Sequence, residues 1–537
     1  MNLFLRAIVL PVGSIFLVAA LPAFAHDEKE GVEKLGTVRF STSCIPAVQP
    51  RFERAVALLH SFWFSEGLKA FGAIAQADPG CAMAHWGSAM LLFGNPFAWP
   101  PAPNALAEGL AQVEKAKAAQ AKTQRERDYI GAVEAFYKDW DKVDHRSRAL
   151  AYAKAMEEVA RRYPDDTEAS VFYALALNIT ALPTDKTYAN QLKAAAILEK
   201  VFAPQPDHPG VAHYLIHSYD YPPIAEQGLP AARRYASIAP SAAHALHMPG
   251  HIFTRRGLWD ESIDTNLRSA AAAASHFDSL HALDYLAYAY LQQGRDGDAK
   301  RVLDEIIAIK KVSPEHFVTA YALATIPARY ALERGRWTDA ANLAPHPREG
   351  EFAWEKFPQA VSEVVYARAL GAGRSGDAPA VRKAIDKLQS LREAMIQAKI
   401  PYWPQRASIE IKVASAWAAY AEGNKQEALT LMREGADMED ASDKHPVTPG
   451  QIIPARELLG ELLLELGQPV AALKEFEASR KVEPNRFRGL LGAARAAELA
   501  GDKAKAKDYY TDLLQLAAKS DGQRPELMRA KEFLAKN

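Results

Sequence analysis

From residue 46 onward the apolar positions recur three and four apart in stretch after stretch, with no run of strict alternation and no glycine-rich strand-to-helix junction. That period belongs to the α-helix, so the chain is predicted to be all-helical. The helical stretches come in pairs. In the clearest pair, Ile453 to Pro484, Leu459-Gly460 falls in the first helix and Gly467 at the turn. Ala472, Phe476 and Ser479 follow on the second helix, and Pro484 stops it. The same phase returns at Gly501/Ala506/Tyr510, Gly423/Ala428/Met432, Gly335/Trp337/Ala340, Gly294/Ala299 and Gly257/Trp259/Ile263. It is present again from Phe64-Ser65-Glu66-Gly67 to Asp78-Pro79. Longer connections are expected at 95–104, 181–187, 345–357 and 437–451.

Small residues where two helices touch, and aromatic ones where a pair meets its neighbour, resemble the tetratricopeptide repeat (TPR). The resemblance implies an all-α, TPR-type α-solenoid, a right-handed superhelix of about twelve helix pairs, because one 34-residue unit cannot bury its apolar face alone. Two segments are expected, 46–344 and 345–537, hinged at 345–357 where helical periodicity lapses. TPR proteins mostly act as scaffolds, so the resemblance implies a protein or peptide partner on the concave wall of first helices. It implies no activity. The segments around His60 and His85 and the stretch from His208 to Trp259 are also similar to a group of exported bacterial TPR proteins with no assigned activity.

Composition narrows the reading. Apolar residues make up 49% of the 537 and charged ones 24%, with 64 Lys+Arg against 65 Asp+Glu. Such a chain can bury large cores and has no basic excess for nucleic acid. At the N-terminus Arg6, an uncharged apolar run from Ala7 to Leu21 and Ala23-Phe24-Ala25 match a signal peptide, 1–25, cleaved at Ala25/His26. A leader, 26–45, would follow, and no later stretch is long enough to span a membrane. The protein is therefore expected in the periplasm or outside the cell. In that compartment Cys44 and Cys81 are expected to form a disulfide, worth about 3 kcal/mol.

The histidines change the picture most. Eight of the 15 fall between His208 and His281, far above even scatter. His213 and His217 form a His-x-x-x-His pair, as do His247 and His251, and residues four apart share a helix face, the spacing that lets two imidazoles chelate one ion. Phased on Gly257, residues His244, His247 and His251 occupy positions 2, 5 and 9 of the motif, and phasing on Gly294 adds His281 at position 2. These six are the candidate metal ligands. They are expected on one patch of the concave face, with Asp220 and Asp284 as carboxylates at its edge. Imidazoles without thiolate suit Zn, Cu, Ni or Fe, and the metal's identity stays open. Met248 adds a thioether should the ion be Cu(I), and Pro249 should kink the helix between His247 and His251. No Walker loop, His-Glu-x-x-His or Gly-x-Ser-x-Gly occurs.

The first reading is a binding scaffold with a His-rich metal site. The alternatives are a periplasmic metalloenzyme with one or two ions activating water or dioxygen, with Tyr214, Tyr219 or Tyr288 toward substrate, and a metal carrier. Catalytic residues and substrate remain unassigned.

Overall fold

A computed structural model describes residues 33–98, 100–521 and 524–537. The signal segment, its cleavage site and the first part of the leader lie outside the described residues. Among the described residues there are 26 α-helices, four short 3₁₀ helices and no β-strand. No described helix is long and apolar enough to cross a membrane.

The helix pairs are closed by one repeated device. At Gly257, Gly294, Gly335, Gly376, Gly423, Gly467 and Gly501 the backbone turns left-handed, with φ between 63° and 86°. The next residue then donates its N–H to a carbonyl five positions back, as Leu258 does to Phe253 at 2.8 Å and Gln468 to Leu463 at 2.9 Å. Glycine adopts that conformation without a Cβ penalty, which is why it marks each turn. In the first pair, helices Gln49–His60 and Phe64–Ala77, the same bond runs from Trp63 to Leu58, but Phe62 takes glycine's place at φ 53°. Between pairs, the Phe476 ring lies so close to Gly460 and Gly492 that a Cβ on either would stand 2.7 or 2.2 Å from it. The small and aromatic positions of the sequence pattern are thus one contact seen from its two sides.

Buried apolar side chains form successive clusters, one running from Leu35 to Phe253, one from Trp259 to Val364 and one from Tyr321 to Ala506. Packing of each repeat mainly on its neighbours produces such a series. Where periodicity lapses, Phe352, Trp354 and Phe357 join the Trp259 cluster, and the Trp354 indole donates to the Pro347 carbonyl at 2.7 Å. At the other end the Cys44 and Cys81 sulfurs are bonded, with Cα atoms 4.7 Å apart. The preceding segment packs Leu35, Val38 and Phe40 into the first cluster.

Two long-range contacts close the superhelix on itself. Trp259 donates to the Asn485 carbonyl at 2.7 Å, and Arg486 reaches Glu333, Glu457 and the Tyr288 hydroxyl inside the molecule. The connection between helices Lys425–Asp440 and Ala455–Glu465 turns inward. Along it, the Asp443 N–H donates to the Pro183 carbonyl at 3.2 Å, and Arg329 donates to the Gly450 and Gln451 carbonyls at 2.7 Å each. A loop from the C-terminal repeats therefore fills the interior against the histidine-bearing helices.

Candidate metal centre

Helix Pro209–Tyr219 carries His213 and His217. It starts at His208, whose Nδ1 accepts the Val211 N–H, with Pro209 in the first turn where its missing donor costs nothing. Gly210 lets this helix approach the end of Gln49–His60, since a Cβ there would sit 2.4 Å from the His60 ring. His244 and His247 lie on the short helix Ala243–His247, and His251 on Pro249–Arg255. The expected kink at Pro249 is a break between these two helices. His281 comes from His276–Gln292. All six rings are buried, none more than 7% exposed, so they are enclosed in the repeat array rather than displayed on an open wall.

They sort into two triads. In each of His213/His217/His244 and His247/His251/His281 the ring nitrogens lie within 4.8 Å of one another. His213 Nε2 is 3.2 Å from Nε2 of both His217 and His244, and the Nε2 atoms of His247 and His251 are 3.0 Å apart. The triads adjoin, with ring centroids 5.7 Å apart for His217 and His251 and 6.0 Å for His244 and His247. Each triad takes two histidines from one helical stretch and one from elsewhere. His244 joins His213 and His217 although it is nearer in sequence to His247.

The tautomers of three rings follow from their partners. His213 Nδ1 is 2.7 Å from the His60 carbonyl, which can only accept. His247 Nδ1 is 2.6 Å from Asn266 Oδ1, and the Asn266 amide is oriented by its own donation to the Ser262 carbonyl at 2.7 Å. His251 Nδ1 lies 3.0 Å from Asp220 Oδ2. Each Nδ1 therefore carries the proton and each Nε2 a lone pair aimed into the triad. Burial and neighbouring rings hold His217, His244, His247 and His281 well below the ordinary histidine range, and His213 is pushed down to about 3, chiefly by burial. Burial also lowers His251, against the pull of Asp220. These rings are neutral at physiological pH.

Asp220 is the carboxylate at this site. Besides His251, it holds Arg255 at 2.9 Å and Lys444 at 2.9 Å, and those two charges keep its acid well below the usual range despite burial. Asp284 has other partners, Thr325 at 3.0 Å and Arg329 at 3.5 Å. The walls are aromatic: Phe97 stacks on His217 at 3.6 Å between centroids, Tyr235 on His213 at 5.3 Å and Phe62 on His244 at 5.4 Å. Phe62, the residue in glycine's turn position, thus holds an unfavourable backbone conformation where its ring covers the first triad. A narrow cleft between Phe62, Trp63, Ala242 and Asp278 opens onto His244, with about 10 Å³ free, the space of roughly one water molecule.

Tyr214, Tyr219 and Tyr288 are engaged elsewhere, with His60, Glu199, and Glu483 with Arg486 respectively. The tyrosine at the triads is Tyr285, 3.4 Å from both nitrogens of His251 and donating to the Thr448 carbonyl. It lies one helical turn past His281, a signal present in the sequence. Asn266 and Lys444 gave no such signal, because they arrive from other helices or loops.

A third histidine group lies beside the first triad. His60 Nε2 and His208 Nε2 each sit 2.8 Å from an oxygen of Glu168, the Tyr214 hydroxyl is 3.1 Å from His60 Nδ1, and Val211 serves His208 Nδ1. Every ring nitrogen here has a protein partner, so the group is a closed hydrogen-bonded network. His85 pairs with Gln112 at 2.9 Å.

No protein-family model matches the chain, and no curated protein matches it. Among solved structures it is similar to the human IFIT1 dimer with PPP-AAAA, at 14% identity over 81% of this chain and 91% of that one, TM-score 0.40. It is also similar to the APC/C hetero-tetramer Cut9-Hcn1, at 11% identity over 91% and 97%, TM-score 0.29. The P58(IPK) TPR domain aligns at 13% identity over 91% and 99%, TM-score 0.20. Likenesses this distant carry neither site nor ligand to this chain.

Proposed function

We propose that the protein is an exported TPR-type scaffold whose middle repeats bind two metal ions, each held by three imidazoles. One observation carries the reading. His247 and His251 have both committed their Nδ1 protons to fixed acceptors, yet their Nε2 lone pairs face each other at 3.0 Å. Two buried lone pairs in contact repel, and only a proton or a cation between them makes the arrangement favourable. A proton would create a buried imidazolium, which desolvation opposes. A metal ion at about 2.0–2.1 Å from each nitrogen suits ligand atoms spaced near 3 Å, and the acceptors on Nδ1 are the partners that orient metal-binding histidines. In the first triad the His60 carbonyl fixes His213 alone, whose Nε2 lone pair faces the Nε2 atoms of His217 and His244 at 3.2 Å each.

The export assignment is supported by the N-terminal signal pattern and by the bonded cysteine pair. The scaffold role also calls for a protein or peptide partner, docked away from the interior that the 441–454 connection fills.

The test is elemental mass spectrometry on protein exported without a His tag, beside the His213→Ala/His247→Ala variant. Two equivalents of metal in the wild type, lost in the variant, are expected. A wild type that is empty and also fails to take up Cu, Zn, Fe or Ni would overturn the reading.

A further inference from the structure

The charge around the two triads discriminates between ions. Six neutral imidazoles bring no negative charge, so two divalent ions would place four positive charges in a buried pocket. Asp220, the carboxylate bonded to a ligand, is matched by Arg255 and Lys444, both within 2.9 Å of its oxygens. Asp284, one turn beyond His281, is shared with Arg329. Burying uncompensated charge is costly, so the pocket favours ions of the lowest charge. Of the metals that imidazole suits, copper alone has a stable monovalent state, and three nitrogens are a sufficient shell for it.

Resting on the two-ion reading above, we propose that the triads hold a pair of cuprous ions and that the pair takes up one molecule of dioxygen. In that step each Cu(I) gives up one electron and becomes Cu(II). Dioxygen gains two, its double bond becomes the single bond of a bridging peroxide, and copper–oxygen bonds form without any proton or outside reductant. The total charge within the six-histidine shell is the same before and after. A pocket with no spare carboxylate therefore tolerates the change, which it would not for oxidation of the metals alone.

Three further features agree. The triads adjoin, with ring centroids 5.7 and 6.0 Å apart across the boundary, so ions held in them would be neighbours. The cleft at His244 leaves about 10 Å³ beside the first triad, room for a molecule no larger than about water. Phe62, Phe97 and Tyr235 pack against the histidines of the first triad and keep bulk water from a charged, oxidisable centre.

The experiment uses the full exported chain, stripped of metal, loaded with Cu(I) under anaerobic conditions and then exposed to measured amounts of dioxygen. Two Cu(I) per chain, uptake of one dioxygen per two coppers, a new near-ultraviolet absorption and no signal from isolated Cu(II) in electron paramagnetic resonance are expected. His244→Gln and His281→Gln each disable one triad. Each should keep one copper, which itself reports a folded chain, and lose dioxygen uptake at least tenfold, because one ion supplies only one of the two electrons. Preferential retention of two Zn(II) over Cu(I) in competition would overturn this proposal and leave the metal site standing. So would ordinary magnetically isolated Cu(II) after exposure to air, or uptake that survives in both variants. Failure to bind any metal would overturn both.

Discussion

Two histidine clusters lie side by side in the first half of this solenoid, and they solve the same burial problem differently. Around Glu168 the rings of His60 and His208 are fully served by protein: carboxylate on Nε2, and Tyr214 or the Val211 N–H on Nδ1. Around His247 and His251 the partners on Nδ1 are just as well placed, but Nε2 meets another unprotonated Nε2. The first cluster is complete without a ligand; the second, on the proposed reading, would be completed by one. Density of histidines does not separate the two, since His208 and His213 belong to the same helix and its cap. What separates them is whether the lone pairs left after the tautomers are fixed have somewhere to go. The clusters also touch, because the His60 backbone carbonyl orients His213 while its ring belongs to the network.

One large expected effect tests the closed network. Glu168→Ala removes the acceptor shared by two buried rings and should cost about 3–5 kcal/mol of stability in urea unfolding, the range for removing one partner of a buried ionic group. A cost under 1 kcal/mol would break the contrast. Metal should act on the other cluster alone. At a free concentration a thousand times its Kd, each bound ion adds about 4 kcal/mol to unfolding stability. Glu168→Ala that still folds should keep this increment, and His213→Ala/His247→Ala should lose it, by calorimetry with and without chelator.

A smaller effect is expected from Asn266→Ala, which leaves all six ligands in place but removes the acceptor that orients His247. Affinity at the second triad should fall about 10- to 100-fold in a chelator competition, with the first triad unaffected. The smallest is a pH slope. His213 binds its proton at an ordinary pKa in the unfolded chain and at about 3 in the fold. Between those values the unfolded state holds the extra proton, so the metal-free protein loses stability as pH falls from about 6.5, by up to ~1.4 kcal/mol per unit for this one residue. His213→Gln should flatten the metal-free stability curve between pH 6.5 and 5.5 by about 1 kcal/mol, read from urea midpoints.

The architecture was legible because its determinants are local. A glycine that must turn left-handed, and a small residue that must face an aromatic ring, leave marks at fixed spacing. The six candidate ligands were legible for the same reason, as residues four apart on one helix share a face whatever the rest of the molecule does. Their grouping was not. Sequence proximity sets His244 with His247 and His251, whereas the fold sends His244 to His213 and His217 and joins His247 to His251, across the break at Met248-Pro249, and to His281. His244 and His247 share one short helix, so their parting is decided by which neighbouring helix each meets, and spacing along the chain does not carry that.

Asp220 and Asp284 looked equivalent, each on the helix of a ligand, and only Asp220 touches one. Sequence spacing points to Tyr288, whereas the tyrosine hydroxyl that meets a candidate ligand is that of Tyr285, one turn from His281. The loop at 437–451 was visible as a long connection, yet nothing local says that its Lys444 will travel to Asp220 or its Thr448 to Tyr285.

The sequence by itself determined the helical repeat, the turns, the cysteine pair and the six imidazoles, because each is written in spacings of a few residues or in residue type. The tertiary structure decided which imidazoles converge, which nitrogen of each keeps its proton and which charges surround them. Those depend on groups such as the His60 carbonyl, Asn266 and Lys444, brought to the site by the curvature of the whole solenoid and not by the helix on which any ligand stands.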